Sequence, residues 1–286
     1  MPSSRPEVIG VCGAGTMGSG IAQLAVEAGF DTVGLEPELT RAEAARDRIA
    51  HFLTRKVEKG RLEKTARDAA VERLRLTTDV GELAECDVVI EAAFEDLAVK
   101  HALFRELEDV VRPEAVLATN TSALSVTEIA SVLERPERAV GMHFFNPAPL
   151  MPLVEIVRAE RTDDATFERA FDLGEKLGKA PIRCSDTPGF VVNRVLIPLL
   201  NDCVRVLDET GVTPEDLDTG MKLGAGWPMG PLALLDLVGA DVHVHASEAL
   251  YEKLREPRMA PPARLVRMLR AGKLGRKTGE GFYRYG

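Results

Sequence analysis

Short apolar runs alternate with segments of helical periodicity along the chain up to about residue 186. A run of about four to eight apolar residues that ends in a turn is typical of a buried strand, whereas apolar residues spaced by three and four indicate a helix. Ile21, Leu24, Ala25 and Ala28 have the helical spacing, and Gly29 is a suitable C-cap after them. The pattern predicts strands at residues 8–12, 32–36, 87–90, 116–119, 139–143, 153–157 and 181–184, and helices at residues 17–28, 39–60, 97–110, 126–133 and 167–177.

Strands that alternate with helices predict an α/β fold with a mostly parallel, doubly wound sheet. The strand pattern stops at the turn-rich residues 185–189, and helical patterns follow near residues 190–209, 214–223, 230–255 and 261–271. We therefore predict a first domain at residues 1–186 and an all-helical C-terminal domain at residues 187–286.

The composition limits the classes of partner. The 286-residue chain is 45% hydrophobic and 28% charged, which is ordinary for a globular protein. Its formal net charge of -9 opposes nonspecific binding to nucleic acid or anionic membranes, because both are polyanions. No apolar run approaches the roughly 18 residues of a transmembrane helix, and residues 1–7 lack the apolar core of a signal peptide. We expect neither nucleic acid nor a membrane as a partner.

The cysteines Cys12, Cys86, Cys184 and Cys203 form no C-x-x-C pair. Such pairs are typical of zinc sites and of thioredoxin-like redox sites, so we expect no metal and no redox disulfide. Reduced, mostly buried thiols are typical of cytoplasmic proteins, and we predict that localisation.

A glycine-rich turn lies between the first predicted strand and the first predicted helix. Gly13, Gly15 and Gly18 fit the dinucleotide-binding pattern G-x-G-x-x-G, and Thr16 and Met17 complete it. The three glycines allow, in order, a tight turn, close approach of a pyrophosphate and close packing of the helix on the strand. The N–H groups and the dipole at the helix N-terminus attract the phosphates. The motif predicts a Rossmann-type domain.

Glu36 ends the second predicted strand, close to the spacing of about 20 residues at which such domains carry an acid. A carboxylate there can accept hydrogen bonds from the hydroxyls of an adenosine ribose and repels a 2′-phosphate. The sequence therefore predicts NAD as the cofactor rather than NADP, although Arg41 nearby weakens that preference. An α/β protein that binds another ligand with the same turn is the alternative.

His143 and Glu155 are candidates for proton transfer. His143 ends one predicted strand, and Glu155 lies within the next, between Val154 and Ile156. A carboxylate among apolar neighbours is costly to bury without a partner, and an imidazole can provide one. Ligands of open α/β sheets bind beyond the carboxyl ends of the strands. A histidine at a strand end can therefore lie beside a bound nicotinamide, where hydride transfer from an alcohol needs a base for the hydroxyl proton. From the residues alone, a structural histidine and a structural glutamate remain the alternatives.

The run from His143 to Glu155, HFFNPAPLMPLVE, resembles the catalytic segment of the 3-hydroxyacyl-CoA dehydrogenase family, and in particular of its bacterial members that act on 3-hydroxybutyryl-CoA. The resemblance covers nearly the whole chain. Further matching segments are TNTS at 119–122, DTPGFVVNR at 186–194, GPLALLD at 230–236 and GRKTGEGFY at 275–283. The resemblance implies NAD-dependent oxidation of (3S)-3-hydroxyacyl-CoA to 3-ketoacyl-CoA and the reverse reaction.

The same resemblance implies roles for single residues. His143 is implied to be the general base and acid, and Glu155 to orient its ring. Ser122 and Asn193 are implied to hydrogen-bond the 3-oxygen or thioester of the substrate. Cofactor contacts are implied for Glu95, Lys100, Asn120, Asn146 and Lys277. From the residues alone, helix capping by Ser122 and Asn193 and solvated lysines remain the alternatives.

Arg55, Lys56 and Lys59 form a basic run on the long second predicted helix. On sequence alone a solvated helix face explains the run. The resemblance implies that this helix reaches the phosphates of coenzyme A, with Lys59 as the best match, because lysine acts on phosphate as a point charge. It also implies a homodimer formed through the helical domain.

Other functions share parts of this pattern. The rival enzymes are dehydrogenases of free hydroxy acids and of sugar acids such as gulonate, and the gulonate branch shares the histidine segment. A further branch uses a lysine base on a helix of the second domain, where this chain has Asn193 and Arg194. A non-catalytic NAD-binding relative is expected to lose one of four residues that are all present here: His143, Glu155, Ser122 and Asn193. A regulatory sensor would bind NADH without turning over a thioester.

Overall fold

The computed structural model describes residues 7–286, which are divided into two compact units between Thr187 and Pro188. The first unit is an α/β sheet, and the second, Pro188–Gly286, consists mainly of helices. The predicted fold class is confirmed.

One sheet of eight strands forms the centre of the first unit. Its strands are β1 (Val8–Cys12), β2 (Asp31–Leu35), β3 (Leu74–Thr77), β4 (Val88–Glu91), β5 (Val116–Thr119), β6 (Ala139–Phe144), β7 (Leu153–Arg158) and β8 (Ala180–Ser185). They are arranged in the order β3-β2-β1-β4-β5-β6-β7-β8, and only β6 and β7 are antiparallel neighbours. Because the order reverses at β1, the ends of β1 and β4 form the switch point where open α/β sheets bind ligands.

Helices cover both faces of this sheet. They are α1 (Thr16–Glu27), α2 (Leu39–Glu58), α3 (Lys64–Glu72), α4 (Leu97–Val110), α5 (Val126–Ala130) and α6 (Asp164–Lys176). Successive side chains of β4 enter different cores, because strand side chains alternate between faces. Val88 and Ile90 pack with α1, α2 and α6, whereas Val89 packs with α4 and α5. The sheet is therefore doubly wound.

The sequence pattern misses α3 and β3 and misplaces one end of two helices, since α6 begins at Asp164 rather than at residue 167. Helix α3 buries only Ala70, and β3 is an edge strand with an exposed Arg75, so neither leaves a clear apolar pattern. The predicted helix at 126–133 is too long. Helix α5 ends at Ala130, after which the chain turns towards the short helix Pro136–Arg138 that precedes β6.

The second unit contains α7 (Val192–Thr210), α8 (Pro214–Gly224), α9 (Pro231–Val238), α10 (Ala240–Leu254) and α11 (Ala263–Arg270). Its core includes Leu200, Val204, Leu235 and Leu265. The helical pattern at 230–255 contains two helices, because Gly239 has φ +101° and interrupts the helical backbone. Within residues 7–286 we find no helix of the length and apolar character that crossing a bilayer requires.

Candidate active site

The C-terminal ends of β1, β4, β5 and β6 lie side by side at one edge of the sheet. Along this edge Cys12 is in register with Glu91, Glu91 with Thr119, and Thr119 with Gly141. Parallel strands all end at the same edge, so the loops that leave them are neighbours. These loops carry six of the residues predicted to act: Gly13, Gly15, Glu95, Asn120, Ser122 and Asn146.

The glycine turn after β1 can accept a pyrophosphate. Gly13 has φ +98°, and a Cβ there would lie 2.7 Å from the carbonyl oxygen of Ala92. A Cβ on Gly18 would lie 1.8 Å from the carbonyl oxygen of Gly13, so α1 packs closely on the turn. A Cβ on Gly15 would meet no atom within 4 Å, which leaves space before the helix. Helix α1 begins at Thr16 without a side-chain cap, so its first N–H groups suit an anion.

The Glu36 carboxylate lies directly after β2, beside this turn, and is 4% exposed. Its Oε2 accepts the backbone N–H of Ala14 at 2.9 Å, and its Oε1 lies 3.7 Å from Nε of Arg41. The Arg41 guanidinium lies 5.6 Å from the centre of the Phe94 ring. A buried acid and a stacked cation therefore stand together where the ribose of a dinucleotide is expected.

A cavity of about 700 Å³ follows the glycine turn. It is of the size that small-molecule sites have. Its walls include Gly13, Gly15, Thr16, Met17, Glu36, Arg41, Ala92, Ala93 and Phe94. The open space at Gly15, the uncapped helix and the buried acid fit NAD.

A buried polar network lies behind the loop that follows β4. The carboxylate of Glu91, 0% exposed, accepts hydrogen bonds from Lys100 Nζ at 2.6 Å, from the Ala93 N–H at 2.7 Å and from the Thr119 hydroxyl at 2.6 Å. Lys100 is 1% exposed, and its Nζ lies 3.3 Å from Oε2 of Glu95. In this arrangement Lys100 pairs with two glutamates, and its predicted cofactor contact stays a prediction.

Glu95 holds the turn that contains Ser122. Its Oε1 accepts the Thr121 hydroxyl at 2.7 Å and the backbone N–H groups of Ser122 and Ala123 at 2.8 and 2.9 Å. Burial alone would raise the pKa of Glu95, but the Lys100 ammonium and these hydrogen bonds outweigh it, and the pKa is lowered. The Ser122 hydroxyl lies 3.3 Å from the same oxygen, in an exposed residue. An ionised carboxylate thus fixes the turn while Ser122 remains accessible.

The structure brings His143 and Glu155 together. They are opposite each other in the antiparallel pair of β6 and β7, so their side chains share one face. His143 Nδ1 lies 2.7 Å from Oε2 of Glu155, and the residues are 6% and 0% exposed. A carboxylate only accepts, so Nδ1 is the donor and the lone pair of the neutral ring lies on Nε2. The Phe145 ring packs on the imidazole with centres 4.7 Å apart.

Asn120 follows β5, and Asn146 lies in the loop that follows β6 and His143. Asn120 Oδ1 accepts the N–H of Phe144 at 2.9 Å, which ties the end of β5 to the end of β6. Asn146 is exposed and begins the loop that leads to β7. Lys179 Nζ donates to the carbonyl oxygens of Ala148 and Met151 in this loop, at 2.6 and 2.8 Å. Sequence reasoning missed Lys179, because its partners are backbone atoms.

A second cavity, of about 650 Å³, lies between α1, α2 and the loop after β6. Arg55, Lys56 and Lys59 all line it. Lys56 Nζ is already paired with Glu27 at 2.5 Å, which leaves Lys59 as the stronger candidate of the two lysines. Three further basic residues that sequence reasoning missed line it too, since no run marks them: Arg48, His51 and Arg61. The cavity suits an anionic ligand.

Two predicted site residues belong to the second unit. Asn193 is the second residue of α7 and is partly buried. Lys277 Nζ bonds both carboxylate oxygens of Asp241, at 2.5 and 2.6 Å. The contacts of Asn193 and Lys277 with substrate and cofactor stay predictions.

Comparisons with known proteins agree with the geometry. The family model "3-hydroxyacyl-CoA dehydrogenase, NAD binding domain" matches residues 8–187, and the C-terminal domain model of that family matches residues 189–285. The chain is 43% identical over 276 residues to a probable 3-hydroxybutyryl-CoA dehydrogenase of Deinococcus radiodurans, covering 96% of this chain and 99% of that protein. It is 44% identical over 279 residues to a 3-hydroxybutyryl-CoA dehydrogenase of Mycobacterium tuberculosis, covering 97% and 98%.

A solved structure, the (S)-3-hydroxybutyryl-CoA dehydrogenase of Ralstonia eutropha, superposes with a TM-score of 0.95 at 39% identity, covering 99% of this chain and 100% of that one. The resemblance inferred from the sequence motifs is confirmed. This chain belongs to the 3-hydroxyacyl-CoA dehydrogenase family and is an NAD-dependent oxidoreductase that oxidises 3-hydroxyacyl-CoA thioesters.

Proposed function

We propose that the chain interconverts (3S)-3-hydroxybutyryl-CoA and acetoacetyl-CoA, with His143 as the general base and acid. The observation that carries the proposal is the buried hydrogen bond of 2.7 Å between His143 and Glu155. The pair lies at the sheet edge that also carries the glycine turn. The names of the relatives, 3-hydroxybutyryl-CoA dehydrogenases, support the four-carbon substrate.

A bound nicotinamide supplies the hydride acceptor for the oxidation. His143 Nε2 takes the proton of the 3-hydroxyl, and Glu155 stabilises the resulting imidazolium through its hydrogen bond to Nδ1. Ser122 and Asn193 donate hydrogen bonds to the 3-oxygen as it becomes a carbonyl. In the reverse direction the imidazolium returns the proton to that oxygen.

We assign cofactor binding to the glycine turn and to its neighbours. The N–H groups at the start of α1 hold the pyrophosphate, and Glu36 accepts hydrogen bonds from the ribose. Repulsion between Glu36 and a 2′-phosphate favours NAD over NADP. Contacts nearer the nicotinamide are assigned to Glu95, Lys100, Asn120, Asn146 and Lys277.

The basic cavity supports a coenzyme A thioester over a free hydroxy acid as substrate. Its cations Arg55 and Lys56 lie in the last turn of α2, and Lys59 is the C-cap residue that follows. Phosphates bind to such groups of cations. A dehydrogenase of gulonate or another free acid has no phosphate to place there. We therefore assign this cavity to the phosphate groups of coenzyme A.

The test is NADH oxidation with acetoacetyl-CoA, compared with acetoacetate and a keto sugar acid. We expect turnover of the thioester alone. The His143→Gln variant should lose about 10²–10⁴-fold in kcat, because a positioned base contributes that much. His101→Gln is the matched control, since His101 is an exposed histidine bonded to the carbonyl of Glu128. Wild-type turnover in the His143 variant, or preference for a free acid, contradicts the proposal; NADH binding without any turnover indicates a sensor.

We further infer a homodimer formed through the second unit. That unit exposes large apolar side chains, and exposed apolar surface of this kind marks interaction sites. They include Val195, Val206, Leu223, Leu237 and Val242. A sedimentation coefficient of a monomer at assay concentration contradicts this inference. Cys12 and Cys184 are buried thiols outside any disulfide, as is typical of a reducing compartment, and we propose that the enzyme is cytoplasmic.

A further inference from the structure

We propose that Glu91 is a positioning residue for the dehydrogenase reaction and acts through Lys100 and Glu95 on the turn that carries Ser122. The inference rests on the proposed function, because it assumes that this turn contacts the substrate. Glu91 is absent from the residues predicted from the sequence, and it does not itself line either cavity described above.

Glu91 joins three segments of the site. Its Oε1 accepts the Lys100 ammonium from α4 and the Ala93 N–H from the loop that lines the dinucleotide cavity. Its Oε2 accepts the Thr119 hydroxyl at the end of β5. A buried carboxylate is costly unless hydrogen bonds satisfy it, and these three donors do so. The group therefore fixes the relative positions of β5, α4 and the cavity wall.

Two carboxylates share one ammonium in this network. Lys100 Nζ is 2.6 Å from Glu91 and 3.3 Å from Oε2 of Glu95. The shorter contact keeps the ammonium at Glu91. The other oxygen of Glu95 then stays available to the Thr121 hydroxyl and to the N–H groups of the turn.

Loss of the charge at Glu91 changes this balance. The buried ammonium is then attracted mainly by Glu95, because attraction between charges is strong where water is excluded. A shift of Glu95 towards Lys100 moves the turn that its Oε1 holds, and Ser122 moves with it. A displacement of about 1 Å in a positioning group can cost about 10²-fold in rate.

Glu91→Gln is the decisive variant, because glutamine keeps the volume. Its carbonyl can still accept from Ala93 and Lys100, and its amide can donate to the Thr119 oxygen. We expect kcat with acetoacetyl-CoA to fall about 10–100-fold. The dissociation constant of NADH, measured by fluorescence, should change little, because the glycine turn and Glu36 are unaltered.

A double-mutant cycle separates positioning from stability. If Glu91 acts through Lys100, the kcat of E91Q/K100M should equal that of K100M. In K100M the ammonium is already absent, so E91Q can no longer change its pull on Glu95. Glu108→Gln is the matched control. Glu108 forms a partly buried pair with Arg138 at 3.2 Å, farther along α4. E108Q should lower the thermal unfolding midpoint and leave kcat unchanged.

Thr119→Val provides a second approach that alters no charge. It removes one donor to Glu91, and we expect a smaller fall in kcat than in E91Q. If E91Q does not fold, an unchanged kcat in T119V overturns the proposal. If E91Q folds, a wild-type kcat or an additive cycle overturns it. If the wild-type enzyme does not reduce acetoacetyl-CoA, both the proposed function and this inference are overturned. If the wild-type enzyme and E91Q both reduce it at the same rate, only this inference is overturned.

Discussion

Replacing Glu155 by glutamine changes the charge beside His143 and leaves the volume of the side chain almost unaltered. The carboxylate keeps the proton of the neutral ring on Nδ1, 2.7 Å away. Glutamine can instead offer its own N–H to Nδ1, and the ring then takes the other tautomer with its proton on Nε2. A ring with a proton on the reacting nitrogen cannot accept the proton of the 3-hydroxyl.

The expected loss follows from two effects at this buried pair. The imidazolium that forms during turnover loses a charge-assisted hydrogen bond, worth about 1.5–3 kcal/mol, which alone is about 10–100-fold in rate. The unfavourable tautomer adds to this, up to the full contribution of a positioned base, about 10²–10⁴-fold. We therefore expect kcat of E155Q to fall by about 10²–10⁴-fold, comparable to the effect of the corresponding carboxylate change in serine proteases.

The assay is NADH oxidation with acetoacetyl-CoA, beside an NADH titration by fluorescence. We expect NADH affinity to stay near that of the wild type. Glu168→Gln is the control, because Glu168 pairs with Arg183 at the surface, with both side chains about half exposed. A normal kcat in E155Q would refute the assigned role of Glu155. Equal losses of kcat and NADH affinity would show that the substitution disturbs the fold instead.

Three further variants test the cofactor site, the basic cavity and the helical unit. Glu36→Gln removes the repulsion between Glu36 and a 2′-phosphate beside Arg41. The ratio of kcat/KM for NADPH to kcat/KM for NADH should therefore rise at least about tenfold, which corresponds to about 1.4 kcal/mol. An unchanged ratio contradicts the assignment of Glu36. Lys59→Ala should raise KM for acetoacetyl-CoA about two- to fivefold. The KM for the pantetheine thioester should not change, because that substrate lacks the phosphates of coenzyme A. Equal effects on both KM values contradict the assignment of Lys59. Burial lowers the pKa of His243 from 6.5 to about 4, so the unfolded chain takes up the proton first as pH falls. Stability should therefore be lost between pH 6.5 and 4, by up to about 3 kcal/mol, and His243→Gln should flatten this dependence in urea unfolding at each pH; an unaltered slope contradicts it.

The parts of the fold that the sequence predicts are those whose pattern is local. Buried parallel strands are apolar throughout, so β1, β4, β5 and β6 stand out from the helices between them. The helix α3 and the edge strand β3 bury little and are not recognisable by that pattern. The glycine turn is predictable for another reason, since its spacing reflects steric contacts between Gly13, Gly18 and Ala92 that no larger residue permits.

The pairing of His143 with Glu155 and the network around Glu91 differ in what a sequence can reveal. Both glutamates lie in apolar strands, so the same rule requires a buried partner for each. For Glu155 the partner follows from adjacent strands of one sheet, where opposite residues meet on one face. For Glu91 the partner is Lys100, and the contact depends on how α4 folds back against the end of β4, which periodicity does not encode. The sequence thus indicates that the buried glutamate at the end of β4 has a partner. The packing of the helix that follows determines which cation is the partner and whether that cation acts on the active site.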